Sequence, residues 1–318
     1  MFYTYSRRKA KEVYMHYTKP VFRPAFEGDV PLLQVTDGCS YNKCSFCSMY
    51  RTVPFRVSPD EEVEEDLREL RSMYRHMPRL FLVNGDPFCL STERLAKLGE
   101  RIRYYFPECE TISCFAHIPN FRSKTVDDLK LLRSLGFDQI NIGVESAIDS
   151  VLDMFHKGYH VDDVYEQLGK LNEAGMQFSM NIIMGALGNG EYEALAKANA
   201  DLLNATQPYL IFTTTLYSLP GSELYDYMEG GNFQSNTYRQ LILEQIDMLS
   251  QLRLRNTYYY GLHPANPIPF DGRLPEEQGK IIGVLKQMLQ ILPPAVLDRV
   301  PDRGAEGGIL MPDNWQEL

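Results

Sequence analysis

Positive charge is scarce in this chain. Across 318 residues, 32 lysines and arginines face 42 aspartates and glutamates, for a formal net charge of -10. A general nucleic-acid binder carries a basic surface, so that function is disfavoured. No apolar run approaches the roughly 18 residues that a membrane span needs. The opening MFYTYSRRKAKEVY has an Arg-Arg pair with no apolar stretch behind it, so no secretory leader is expected. Low-complexity tracts and a separable second domain are missing as well. The expected compartment is the cytoplasm, which is reducing. There the six cysteines read as ligands or core residues and not as disulfides.

What the chain does have is a core. Apolar residues make up 44% and aromatics 12%. Apolar runs of strand length alternate with helical patterns: VPLLQVTD (30–37), RLFLVNGD (79–86), TISCFAH (111–117), QINIGVES (139–146), QFSMNIIMG (177–185) and YLIFTTTLY (209–217). Strands nearly continuous in Val, Ile, Leu and Phe suit a parallel sheet covered by helices. Strand-helix units recur about every thirty residues, the size of a βα unit. The expected fold is α/β, a partial (β/α)6 TIM-type barrel with a C-terminal helical and loop extension; a flat doubly wound sheet is the alternative. The expected boundaries are an N-terminal extension over 1–28, the barrel core over 29–255 and the extension over 256–318. In that extension TYYYGLHPANPIPFDGRLP reads as loop, 275–291 as one helix, and the Pro- and Gly-rich remainder as a mobile or surface-draped tail.

Helix ends are marked. Ser58, Pro59 and Glu61 form a capping-box pattern ahead of the apolar face of Val63, Leu67 and Leu70. Gly136 and Gly175 stand where left-handed caps end helices. On the strands, side chains alternate faces. Asn84 and Asp86 share one face; so do Ser113, Phe115 and His117, then Asn141, Gly143 and Glu145, then Gln177, Ser179 and Asn181. The polar faces should meet inside the sheet and line a pocket, or else satisfy one another with a few waters.

The densest chemistry lies in TDGCSYNKCSFCSMYR, with Cys39, Cys44 and Cys47 directly after the first strand. Barrel enzymes place their chemistry at that end of a strand. The connection from Asp37 to about Ser58 is long for a βα loop, as functional loops are. Crowded thiolates call for a cation or cluster. A structural zinc wants a fourth ligand. A plant-type ferredoxin uses C-x4-C-x2-C with a distant fourth cysteine, for which Cys89 could serve. A four-iron cluster with three thiolates leaves one iron open for something else.

With Phe46 before the third cysteine, this loop resembles that of the radical S-adenosylmethionine (radical SAM) superfamily, in particular its Elp3/MiaB/NifB-like cores. The usual family spacing is C-x3-C-x2-C, and C-x4-C-x2-C looks like a minority branch. The resemblance implies a 4Fe-4S cluster on Cys39, Cys44 and Cys47, with S-adenosyl-L-methionine at the open iron. Reductive cleavage would then give a 5'-deoxyadenosyl radical that takes hydrogen from a substrate. NGDP (84–87) resembles the family's Gly-Gly-Glu-Pro stretch, so Asn84, Gly85 and Asp86 are implied to hold the methionine amino group. NIIMGALG resembles its Gly-x-Ile-x-Gly segment, with Asn181 in place of the first glycine and Ile183, Met184 and Gly185 against adenine. Glu145 and Ser146 look like the polar pair that reaches ribose, carboxylate or substrate; Ser113 and Leu216 are weaker carry-overs.

His117 and Glu145 are the catalytic candidates, although a hydrogen-bonded histidine serves His117 equally well. Cys114 falls on an apolar face and reads as core. His263 and Asn266 could line the open side or shape a turn. Lys43, Arg51 and Arg56 near the cysteines could receive an acidic flavodoxin or ferredoxin-type electron donor. A small-molecule substrate is expected. A haem or cluster carrier of the coproporphyrinogen-oxidase-like type is the alternative, and RNA modification is disfavoured by the acidic balance and the absence of a second cysteine cluster.

Overall fold

The structure, a computed structural model, describes residues 15–301. The strands are β1 (Leu32–Gln34), β2 (Thr36–Asp37), β3 (Arg56–Val57), β4 (Arg79–Val83), β5 (Thr111–Ala116), β6 (Ile140–Glu145), β7 (Phe178–Met184), β8 (Leu210–Thr215), β9 (Thr257–Tyr260) and β10 (Asp271–Leu274). Among the described residues, β1-β4-β5-β6-β7-β8-β9-β10 form one eight-stranded sheet with β1 and β10 at its edges, and β2 pairs with β3 apart from it. Pairing is parallel from β1 to β4, β4 to β5, β5 to β6, β7 to β8 and β8 to β9; β10 returns antiparallel to β9. This is the expected α/β fold, a partial TIM-type barrel. All six expected strands are present.

Three expectations need correction. The first strand is not continuous over 30–37: β1 pairs with β4, while β2 turns away to pair antiparallel with β3. The stretch after residue 255 is not simply loop, because it supplies β9 and β10. Its alternation is hidden by a run of three tyrosines that are all compatible with a half-buried strand. The capping box at Ser58 does not form. The helix runs over Asp60–Met73 with Pro59 at its cap and no side-chain bond. The backbone of Ser58 is used instead to donate to Val35 O, and its buried hydroxyl has no partner among the described residues.

Other helix signals are met. Thr125 and Asp128 cap Val126–Ser134 reciprocally, Gly136 and Gly175 have positive φ, and Gln278–Ile291 is one helix. The described start of the tail is packed: Arg299 O accepts from Tyr238 N at 2.9 Å and Asp298 pairs with Arg239 at 2.7 Å. The rest of the expected tail, 302–318, and positions 1–14 of the N-terminal extension lie outside the described residues.

The described residues divide into two compact units, one of residues 15–42, 49–143 and 166–178, the other of 43–48, 144–165 and 179–301. In the first, Glu27 reaches the beginnings of the strands. Its carboxylate accepts from Arg79 at 2.7 and 2.8 Å, and Asn141 Nδ2 donates to Ser113 Oγ at 2.9 Å. The polar faces of β5 and β6 therefore do meet, and here they satisfy one another. In the second unit, Thr213 and Gln245 both donate to the buried Tyr259 hydroxyl, at 2.9 and 2.8 Å.

One backbone contact in the first unit sets the end of β4 against the start of the cysteine loop. Gly85, at φ 71°, leaves β4 so close to Gly38 that a Cβ at position 85 would stand 1.8 Å from Gly38 O. Gly85→Ala combines a left-handed conformation that L side chains avoid with a backbone collision, each costing about 1–3 kcal/mol. The expected loss is roughly 3 kcal/mol or more, read as a lower urea midpoint at unchanged slope; wild-type stability would refute the contact.

Candidate active site

The cysteine loop is anchored at both ends. Asp37 ties its start: its Oδ1 accepts from Gly38 N at 3.0 Å and its Oδ2 from Arg56 Nε at 3.2 Å. Cys39 Sγ accepts from Asn42 N at 3.4 Å. Farther along, Cys47 N donates to Cys44 O at 3.1 Å, a tight turn that keeps these two cysteines together. Between them, Ser45 donates its N–H to Phe155 O at 3.0 Å and its hydroxyl to Met154 O at 2.7 Å, and accepts from Leu224 N at 3.0 Å. All six cysteines are among the described residues and none is in a disulfide; Cys39, Cys44 and Cys47 are half-buried. Cys114 is buried in β5, as the core reading expects. Among the described residues, no three His, Cys, Asp or Glu side chains gather as they would round one metal ion. A four-iron cluster does not ask that of its thiolates, since each takes a different iron.

In the first unit, the NGDP residues turn towards the loop and the N-terminal extension. Asn84 is fully buried at φ 64° and its amide is engaged: Nδ2 donates to Thr18 O at 3.1 Å and Gln34 Oε1 at 2.8 Å, and Oδ1 accepts from Phe22 N at 3.3 Å. Asp86 accepts from Ser40 N and Oγ at 2.8 and 2.6 Å. Burial pushes the Asp86 carboxyl up, while the bonds from Ser40 and Asn120 pull the other way. Ser113 donates to Gln139 O at 2.7 Å, so its hydroxyl is spent within the sheet. His117 follows β5, buried, with its ring stacked on Tyr41 at 4.5 Å between centroids.

In the second unit, Glu145 ends β6 at φ 75°, a strained conformation of the kind that functional sites retain. Its carboxylate accepts from Asn181 Nδ2 and pairs with Lys157 Nζ at 3.1 Å. Both side chains are about 5% exposed or less. The ammonium also lies 5.7 Å over the Phe46 ring and 5.6 Å over the Tyr159 ring. Burial alone would pull Lys157 down, but Glu145, Tyr159 and Cys44 around it hold it well above the ordinary lysine value. Lys157 carries no signal in the sequence. It is turned inward by His156 and Gly158, both at positive φ, and only folding reveals that.

The structure brings three separately expected residues together: Phe46 and Leu216 pack against an apolar cluster that contains Ile183. Leu216 N donates to Met184 O at 2.8 Å, extending the β7–β8 ladder. Ser146 is buried, and its Oγ accepts from Ile148 N at 3.2 Å. Gly185 N donates to both carboxyl oxygens of Glu244 at 3.0 Å. Glu244 also had no signal, being one acid on an ordinary helix. Burial, offset only in part by that N–H, pushes it up to about 8. In the same unit, Asn266 shapes its turn by donating to Thr213 O and Gly261 O at 2.9 and 2.8 Å. His263 lies parallel to Tyr217 at 5.6 Å, and burial lowers it to about 4.

A sequence profile described as "Radical SAM superfamily" matches residues 33–198, just over half of the chain. The chain belongs to the radical SAM superfamily. That span runs from β1 into the helix after β7 and includes every cysteine of the loop. The heme chaperone HemW of Bacillus subtilis (strain 168) is 24% identical over 153 residues, 48% of this chain and 40% of that protein. The tRNA-2-methylthio-N(6)-dimethylallyladenosine synthase of Alteromonas mediterranea is 22% identical over 275 residues, 79% of this chain and 55% of that protein. Among solved structures, methylornithine synthase (PylB) superposes with a TM-score of 0.50 at 17% identity, over 70% of this chain and 63% of that one. The chain thus spans about half the length of the curated relatives it matches. The fold likeness agrees with a radical SAM partial barrel.

Two outcomes test this geometry. Lys157→Met leaves the Glu145 charge buried without its cation, which costs about 3–5 kcal/mol, whereas adding Glu145→Gln removes both charges and restores most of the loss. Equal stability of single and double variants would contradict the pairing. For Glu244, the folded value of about 8 lies above the ordinary 4.5. The unfolded chain therefore releases this proton first, and stability falls as pH rises from about 4.5 to 8. Glu244→Gln should lack that slope, so its urea midpoint gains on the wild type across the window; parallel pH profiles would refute it.

Proposed function

We propose that Cys39, Cys44 and Cys47 hold a 4Fe-4S cluster and that the chain is a radical SAM enzyme acting on a small molecule. One observation carries this: three half-buried cysteines at C-x4-C-x2-C stand just past the first strand, in a loop tied down on both sides of Cys44. The donor set fits the group, since soft thiolates without disulfide partners are what an iron-sulfur cluster takes. When bound, the cluster supplies one-electron cleavage of S-adenosyl-L-methionine to methionine and a 5'-deoxyadenosyl radical, the hard chemistry that a protein then directs.

The chain's own residues bind, orient and exclude water. Lys157 neutralises Glu145 beside Cys44, so a fixed acid and a fixed cation face the cosubstrate without net charge. Glu145 and Ser146 offer acceptors to hydroxyl or ammonium groups. Phe46, Ile183 and Leu216 form an apolar surface suited to adenine, with Met184 and Gly185 supplying backbone beside it. Asn181 fixes the second carboxylate oxygen of Glu145. His117 would be a proton-moving group in the first unit. Asn84 and Gly85 contribute backbone, their side of the turn being set by positive φ. An acidic flavodoxin or ferredoxin would use Lys43, Arg51 and Arg56, the last of which also pairs with Asp37. We place the reaction in the cytoplasm, where a reducing milieu preserves the thiols. No helix among the described residues is long and apolar enough to cross a membrane.

A second reading, a haem or cluster carrier, is favoured by the likeness to the heme chaperone HemW. The two separate on turnover. After anaerobic reconstitution with iron and sulfide, dithionite and S-adenosylmethionine should yield 5'-deoxyadenosine and methionine continuously, and Cys44→Ala should abolish the cluster absorbance. A loaded cluster with no sustained 5'-deoxyadenosine favours the carrier; an intact cluster in Cys44→Ala would falsify the ligand assignment.

A further inference from the structure

We propose that Asp86 is a positioning residue that sets Cys39 through Ser40, a role additional to the one the family likeness implies. The inference rests on the cluster assignment above and deepens it. Both oxygens of the Asp86 carboxylate are taken up by one residue of the cysteine loop: Oδ1 by the Ser40 N–H at 2.8 Å and Oδ2 by the Ser40 hydroxyl at 2.6 Å. A two-point grip fixes both the backbone and the χ1 of Ser40, and Ser40 is peptide-bonded to Cys39. Asp86 itself is only 4% exposed.

The grip is braced from behind. Asn120 Nδ2 reaches Asp86 Oδ2 at 3.4 Å, and Asn120 Oδ1 accepts from His117 N at 2.6 Å. Lys124, 2% exposed, donates to Phe88 O at 3.0 Å and Asn120 O at 3.1 Å. Its ammonium thereby clamps the short helix Pro87–Cys89, which Asp86 caps, to the short helix Ile118–Phe121, which carries Asn120. The Phe88 ring lies under the same ammonium at 5.2 Å. On the other side, Gly85 brings the backbone against Gly38, and a Cβ there would lie 3.6 Å from Cys39 Cα. The first cysteine is thus set by a backbone contact, a two-point carboxylate grip and a buried lysine clamp, all within one unit. Residues that orient metal ligands in this way typically change metal affinity by about 10–100-fold when removed. A carboxylate has about four acceptor positions, so the two bonds from Ser40 make the positioning role one that stands beside, and is separable by experiment from, the role the family likeness implies.

The test uses the full chain reconstituted anaerobically as wild type, Ser40→Ala, Asp86→Ala and Asp86→Asn. Iron release to a chelator is followed by the loss of cluster absorbance, and binding of S-adenosylmethionine to the loaded fraction is measured. Ser40 is exposed, so its variant is the safeguard against simple misfolding. Asp86→Ala should lose iron about 10–100-fold faster, Ser40→Ala should be intermediate, and Asp86→Asn should be partly rescued because its amide oxygen still accepts one bond. Loaded Ser40→Ala should bind S-adenosylmethionine within about twofold of wild type. In the cluster-free chains, peptide-resolved alkylation with iodoacetamide should speed up at Cys39 relative to Cys47 in both Ser40→Ala and Asp86→Ala. Wild-type iron release in Ser40→Ala and Asp86→Ala, with weakened S-adenosylmethionine binding in Asp86→Ala, would overturn the proposal in favour of the amino-group role. Should the wild type take up no cluster, the cluster assignment itself fails, and the alkylation ratio still decides the grip.

Discussion

The carbonyl oxygen of Gly38 occupies the space in which any side chain at position 85 would begin. Much of the first unit depends on that approach. It brings the end of β4 into backbone contact with the start of the cysteine loop, and so puts Asp86 within reach of Ser40. A loop from Asp37 to Ser58 has large conformational entropy to lose. Backbone contact, the Asp86 bonds and the Asp37–Arg56 pair meet that cost before any ligand arrives. Preorganised ligands bind more tightly because less ordering is left for the binding step.

Buried charge is handled in three ways here. Glu27 and Arg79 pair at the strand beginnings. Glu145 and Lys157 pair beside Cys44, with Asn181 and two aromatic rings completing the shell. Glu244 has one N–H for two oxygens, and burial pushes its carboxyl up to about 8. Breaking a buried pair is costly because one charge is stranded, so such pairs fix geometry even where they add little net stability. The pair at Glu145 has the added consequence of keeping a charged group near Cys44 without adding net charge.

Much of this was legible in the residue order. Six strands, the helices between them and the three-cysteine loop follow from periodicity, glycine stops and spacing. The polar faces of β5, β6 and β7 were legible as faces, but not as the pairs Ser113–Asn141 and Glu145–Asn181. The strands β9 and β10 were missed because tyrosine-rich and proline-rich segments give no clean alternation. The capping box at Ser58 was misread because the pattern is local, whereas the competing use of the Ser58 backbone comes from Val35, brought up by the fold.

By itself, the sequence determined the alternation of strand and helix, the left-handed glycines at helix ends, and the spacing that puts Cys39, Cys44 and Cys47 in one loop. Those properties are written in near neighbours, and near neighbours act through local backbone sterics. Tertiary structure alone decided that Lys157 turns inward to Glu145, that Asp86 holds Ser40, 46 positions away, and that Glu244 finds Gly185, 59 positions away. A buried polar group takes whichever partner the packed chain leaves beside it. That choice depends on desolvation and three-dimensional distance, for which separation along the chain is no guide.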